Sequence, residues 1–96
     1  MPANSRDLHV RADHELTTLG AVVRARRRDL GLRQDELADL AGVSERFVHA
    51  VETGKPTVQL DKVLDVLRAV GLHLQLHRGS ADTITTAHVV GPRTSP

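Results

Sequence analysis

From Arg33 to Lys55 the chain carries a run of polar side chains whose types and spacing suit recognition better than bond-breaking. Glu45, His49 and Thr53 recur every fourth residue, and Arg46 stands beside them. The planar fork of an arginine such as Arg46 can meet O6 and N7 of a guanine together. His49 can donate to a base acceptor or to a phosphate. Glu45 can accept from a cytosine amino group, or simply repel phosphates and disfavour wrong sequences. Upstream, the amide of Gln34 and the charge of Arg33 are suited to phosphate oxygens, and Lys55 offers a further charge downstream. No nucleophile–base pair, phosphate-gripping loop or carboxylate dyad has a spacing that asks for catalysis. The residues read as a binding surface without enzyme activity, cofactor or metal.

Those side chains need two short helices to hold them. Residues 31–54, GLRQDELADLAGVSERFVHAVETG, supply the pattern. One helix is predicted from Gln34 to Ala41, with Leu37, Leu40 and Ala41 facing inward and Ala38 allowing a close crossing. Gly42 makes the turn. Ser44 is placed to cap the next helix, because its hydroxyl can accept from free backbone N–H groups. That helix is expected from Glu45 to Thr53 and ends at Gly54. At 100° per residue, Phe47, Val48 and Val51 cover one arc of about 100°. Arg46, Ala50 and Thr53 lie opposite, with His49 at the flank. Ser44 and Glu45 sit at the helix start, the part that approaches base edges in helices of this kind. Phe47 has two readings, at the edge of the core or against a thymine methyl.

Around this centre the chain is organised in simple steps. Met1 to Glu15 is polar and without sustained period, and reads as an arm. A helix is expected from Leu16–Thr18 to Asp29, with Thr17 or Thr18 as its cap and Leu16, Leu19, Val23 and Leu30 on one face. Gly31 suits the residue past its end. Another helix is expected from Gln59 or Leu60 to Val70, burying Leu60, Val63, Leu64, Leu67 and Val70, with Gly71 closing it. The period then changes. Leu72, Leu74 and Leu76 alternate with His73, Gln75 and His77, which is strand spacing. A lone strand leaves its edge unpaired and wants a partner. Thr83–Val90 either forms a hairpin with it or stays without structure until bound. The domain is thus expected over 16–77, between an arm at 1–15 and a tail at 78–96. His73 and His77 read as surface histidines rather than a metal pair.

Bulk numbers set limits. Ninety-six residues make one small domain. The absence of cysteine rules out a disulfide or thiolate site and fits the cytoplasm. No apolar run reaches the roughly 20 residues of a membrane span, and no signal-peptide core is present. Net charge is only +1, yet five arginines and one acid lie between Arg24 and Arg33. Such a local patch attracts a polyanion more effectively than net charge does. The run from Arg24 to Arg28 reads either as a solvated helix face or as phosphate contacts. Phe47 as the single Phe, Tyr or Trp argues against binding of single strands by base stacking.

Residues 16–71 resemble the Xre and lambda-repressor-like helix-turn-helix family. The likeness rests on Gly31, Leu32, Gln34, Leu37, Ala38, Gly42, Val43, Ser44, Val48, Val51, Glu52 and Gly54. It implies an all-α domain of four to five helices that binds double-stranded DNA through the helix starting at Glu45. It also implies a partly buried ion pair between Arg27 and Glu52. Arg33 departs from the family pattern, which has threonine there. Glu36 is therefore expected to lack its capping partner, weakening that helix start by about 1 kcal/mol. Residues 54–76, GKPTVQLDKVLDVLRAVGLHLQL, further resemble the HipB-type antitoxins. That resemblance implies a homodimer in which the short C-terminal strands pair, with Leu72, Leu74 and Leu76 at the interface. It implies a repressor on a pseudo-palindromic operator and a HipA-type kinase toxin as partner. Two other readings remain open at this point: a stand-alone repressor, and an interaction adaptor that does not bind DNA.

Overall fold

A computed structural model describes residues 5–78, with side chains from residue 12 onward. Four helices follow one another: α1 (Ser5–Asp29), α2 (Gln34–Ala41), α3 (Glu45–Glu52) and α4 (Leu60–Ala69). α2 and α3 begin where the sequence places them. α1 does not. The expected arm up to Glu15 is helical from Ser5, because no glycine or proline interrupts residues 5–19 and the stretch is rich in helix formers. Thr17 and Thr18 consequently lie inside the helix and cap nothing. Their hydroxyls donate back to the carbonyls of Asp13 and His14, at 2.9 and 3.0 Å.

The core is small and rich in valine. Val23, Leu37, Val48, Val66 and Val70 are fully buried, joined by Ala38, Val51, Val63 and Leu67. Leu19, Phe47 and Leu72 pack on its margin. Three residues expected on apolar faces stand outside: Leu40 and Leu60 are each 64% exposed, and Leu30, just past the end of α1, is 44% exposed. On α2 the inward arc is centred on Leu37 and Ala38, and Leu40 falls beyond its edge. On α4 the stripe runs Val63, Val66, Leu67 and Val70, leaving Leu60 in the first turn facing out. Val66, not among the expected residues, is fully buried, and Leu64 packs at the core margin.

α3 is held between α1 and α2, and α4 packs on α2. Part of the α1–α3 contact is a close approach of main chain. Gly20 is buried where a methyl group would overlap the carbonyl oxygens of Val51 and Glu52. At the end of α3, Gly54 takes a φ of +78° with Thr17 backbone against it, a position where any side chain would collide. Arg26 reaches from α1 to the far end of α4. Its Nε donates to the Val70 carbonyl at 2.8 Å, satisfying an acceptor that the helix end leaves free. One member of the arginine run is thereby structural.

No strand occurs among the described residues. Leu72–His77, expected as one, has no regular structure. A strand exists only against a second backbone edge, and none lies beside it within residues 5–78. Leu72 closes on α4 instead, its N–H donating to the Leu67 carbonyl at 2.8 Å. Leu74 is 43% exposed and Leu76 98% exposed. The second candidate strand at Thr83–Val90 lies outside the described residues. Among the described helices none is long and apolar enough to cross a membrane.

Candidate nucleic-acid interface

α3 is made amphipathic by its own sequence. Ser44 adopts an extended conformation and its Oγ accepts from the Phe47 N–H at 3.0 Å, which starts the helix cleanly. Val48, Val51 and Glu52 turn inward, while Glu45, Arg46 and His49 are exposed. Ser44, Glu45, Arg46 and His49 are thus brought together on one outward surface. Thr53 adjoins it as the C-terminal cap, but its hydroxyl is committed to the His49 and Ala50 carbonyls at 2.9 and 3.2 Å. Lys55 lies beyond, exposed. Arg46 and Lys55 border a shallow groove, open between α3 and the loop into α4, that Phe47, Ala50, Val58 and Gln59 also line. Neither cation forms an ion pair among the described residues.

The start of α2 departs from expectation. Glu36 does have a capping role: its Oε1 accepts from the Arg33 N–H at 2.8 Å. The reciprocal bond of a capping box is missing, because a guanidinium has no acceptor. Asp35 compensates in part, its Oδ1 accepting from the Glu36 N–H at 3.0 Å. The Arg33 side chain turns to these same carboxylates, at 3.0 Å from Asp35 and 3.6 Å from Glu36. Its hydrogen bond to Asp35, then the charges of Asp35, Glu36 and Glu45, hold the guanidinium pKa above its ordinary value. The hydrogen bond from Arg33 correspondingly holds the Asp35 carboxyl below the usual range. Arg33, expected on a phosphate, is neutralised locally.

Gln34 is the other departure. Its Nε2 donates to Glu52 Oε1 at 3.0 Å, so the amide that was to point at phosphate is half-buried against α3. Glu52 also receives Arg27, through Nε at 2.6 Å and Nη2 at 3.0 Å. The remaining Arg27 nitrogen, Nη1, donates to the Leu32 carbonyl at 2.8 Å. Arg27 and Glu52 are both buried. Burial pushes the Glu52 carboxyl up. Hydrogen bonds from Arg27 and Gln34, with the charges of Arg27 and Arg24, outweigh it and hold the group below its ordinary value. The hydrogen bond to Glu52 raises Arg27 in turn. Every polar nitrogen of this cluster that faces inward therefore has a partner, as a buried ion pair requires.

Four contributors escaped the sequence. Gly20 carried a signal, a lone glycine within a helical stretch, which marks close approach. Arg26 carried none, since its partner is a carbonyl 44 residues away. Gln59 and Val58 join the groove only because the loop folds back towards α3.

Two α-helices joined by a glycine turn, the second capped by serine and tied through a buried carboxylate to the first helix of the chain, define a helix-turn-helix domain. Residues 18–78 match the helix-turn-helix domain family, and the chain belongs to it. Over 58 residues it is 50% identical to an uncharacterised HTH-type transcriptional regulator, y4mF, of Sinorhizobium fredii. That alignment covers 60% of this chain and 76% of the relative.

Proposed function

We propose that this chain is a homodimeric, sequence-specific DNA-binding repressor, and the antitoxin of a HipA-type kinase toxin. The outward face of α3 carries the reading. Arg46 and His49 stand free on a helix whose opposite side is buried and whose end is anchored by Arg27 and Glu52. Such a helix can enter a major groove without rearrangement, its capped start leading. Family membership and the regulator of Sinorhizobium fredii support the same role.

The dimer is supported by what Leu72–His77 leaves unsatisfied. Leu74 and Leu76 are exposed, and beyond Leu72 the segment makes no backbone hydrogen bond among the described residues. Antiparallel pairing with a second copy would satisfy that edge and shelter the leucines. Two recognition helices about 34 Å apart would then address a pseudo-palindromic operator. The toxin partner is supported by the resemblance of residues 54–76 to the HipB-type antitoxins.

Selection of bound duplexes from a random pool, followed by titration at several salt concentrations, tests the reading. A recovered palindromic consensus and an affinity that falls steeply with salt are expected. Equal binding to selected and random duplexes overturns sequence specificity. Sedimentation of Leu74→Pro tests the pairing, since proline removes a ladder donor. A dimer that survives this change rules the strand pairing out. Coexpression with a HipA-type kinase must yield a copurifying complex, or the antitoxin role falls.

A further inference from the structure

We propose that the groove between α3 and the loop into α4 seats the 5-methyl group of a thymine, making Ala50 and Phe47 specificity-determining residues. The proposal rests on the reading of α3 as a recognition helix. The apolar lining is Phe47, Ala50 and Val58, and the polar lining includes Arg46, Lys55 and Gln59. Phe47 packs against the core, so its ring is held in place as a fixed wall of the groove. Ala50 ends at its methyl group and leaves a depression beside the helix where a longer side chain would fill the space.

Charge fixes the occupant. The groove carries two cations and no carboxylate, whereas Arg33 is paired with Asp35 and Glu36. Arg46 and Lys55, neither in an ion pair among the described residues, therefore flank an apolar surface. A polyanion that meets Arg46 and Lys55 must present something apolar between them. In the major groove of DNA the apolar group on a base edge is the thymine C5-methyl, and cytosine and uracil carry only hydrogen there. Arg46 is free to take an adjacent guanine and Lys55 a phosphate, so one groove joins a polar and an apolar reading of neighbouring bases.

The experiment uses the full chain and the duplex recovered by selection. Each thymine is replaced in turn by deoxyuridine, which removes the methyl group and nothing else. One position per half-site is expected to lose about fourfold in affinity, the factor carried by one methyl-sized group taken from water. Ala50→Gln fills the depression and is expected to bind thymine and uracil versions alike, with circular dichroism confirming its helices. If every deoxyuridine substitution is neutral on a duplex the protein binds, the methyl seat is overturned while the DNA reading stands. Sensitivity that persists unchanged in Ala50→Gln places the methyl contact elsewhere and also overturns it. Recovery of no duplex at all removes the DNA reading itself.

Discussion

Glu52 of α3 grips Arg27 of α1 through two hydrogen bonds, at 2.6 and 3.0 Å, while Gln34 of α2 donates to the same carboxylate. A single buried carboxylate thereby joins three helices. Removing it strands a guanidinium in a place from which water is largely excluded. Glu52→Gln is expected to destabilise the domain by about 3 kcal/mol, read from urea unfolding at neutral pH. The pH dependence has a definite sign. The folded carboxyl lies below its ordinary value of 4.5, so its contribution is complete above that value and is lost as pH falls through the lower folded value. Wild type should lose its advantage over Glu52→Gln as pH drops below 4.5. A constant gap between the two across the acid range would remove Glu52 from that role.

Gly20→Ala separates helix propensity from packing. Alanine favours an exposed helix interior by about 1 kcal/mol over glycine. At this site the added methyl meets the carbonyl oxygens of Val51 and Glu52, which cannot move without shifting α3. Overpacking of this kind costs about 1–3 kcal/mol. The variant is expected to melt below wild type, and a higher midpoint would show that the α1–α3 seam is looser than it stands here.

Arg33→Thr should act the other way. A threonine hydroxyl can accept from the start of α2, completing the half-formed box that Glu36 already contributes. The ion pairs lost with Arg33 are exposed and contribute little. The thermal midpoint is expected to rise by about 2–5 °C. A fall would mean that Arg33, through Asp35 and Glu36, is already the better cap.

Arg46→Ala tests the proposed reading surface directly. Its side chain is exposed and without an ion-pair partner among the described residues, so stability should hold. Affinity for the selected duplex should drop by about 1–3 kcal/mol, with little change on random DNA. Equal losses on both would make Arg46 a phosphate contact.

Much of the architecture is legible in the sequence, for physical reasons that particular residues display. Gly31, Gly42, Gly54 and Gly71 mark helix ends because each takes a positive φ that other residues avoid. Ser44 announces α3 because its hydroxyl satisfies a free N–H. The spacing of Val48 and Val51 fixes which side of α3 is buried. Legibility fails where a contact joins distant points. Nothing local ties Arg26 to the carbonyl of Val70, or Gln34 to Glu52. It also fails where polarity hides regularity: residues 5–15 have no apolar stripe, yet nothing in them breaks a helix. The strand at Leu72–His77 shows the converse limit. Alternation expresses a capacity for pairing, and among the described residues no second edge realises it.

The seam at Gly20 and Gly54 has a consequence for how such a reader can change. At this seam main chain lies close to main chain, and a backbone contact is indifferent to which side chains face away from it. Glu45, Arg46, His49 and Ala50 are therefore exchangeable as a set, like type in a fixed press. New binding preferences can be printed from the same frame, and the frame need not be recast for each.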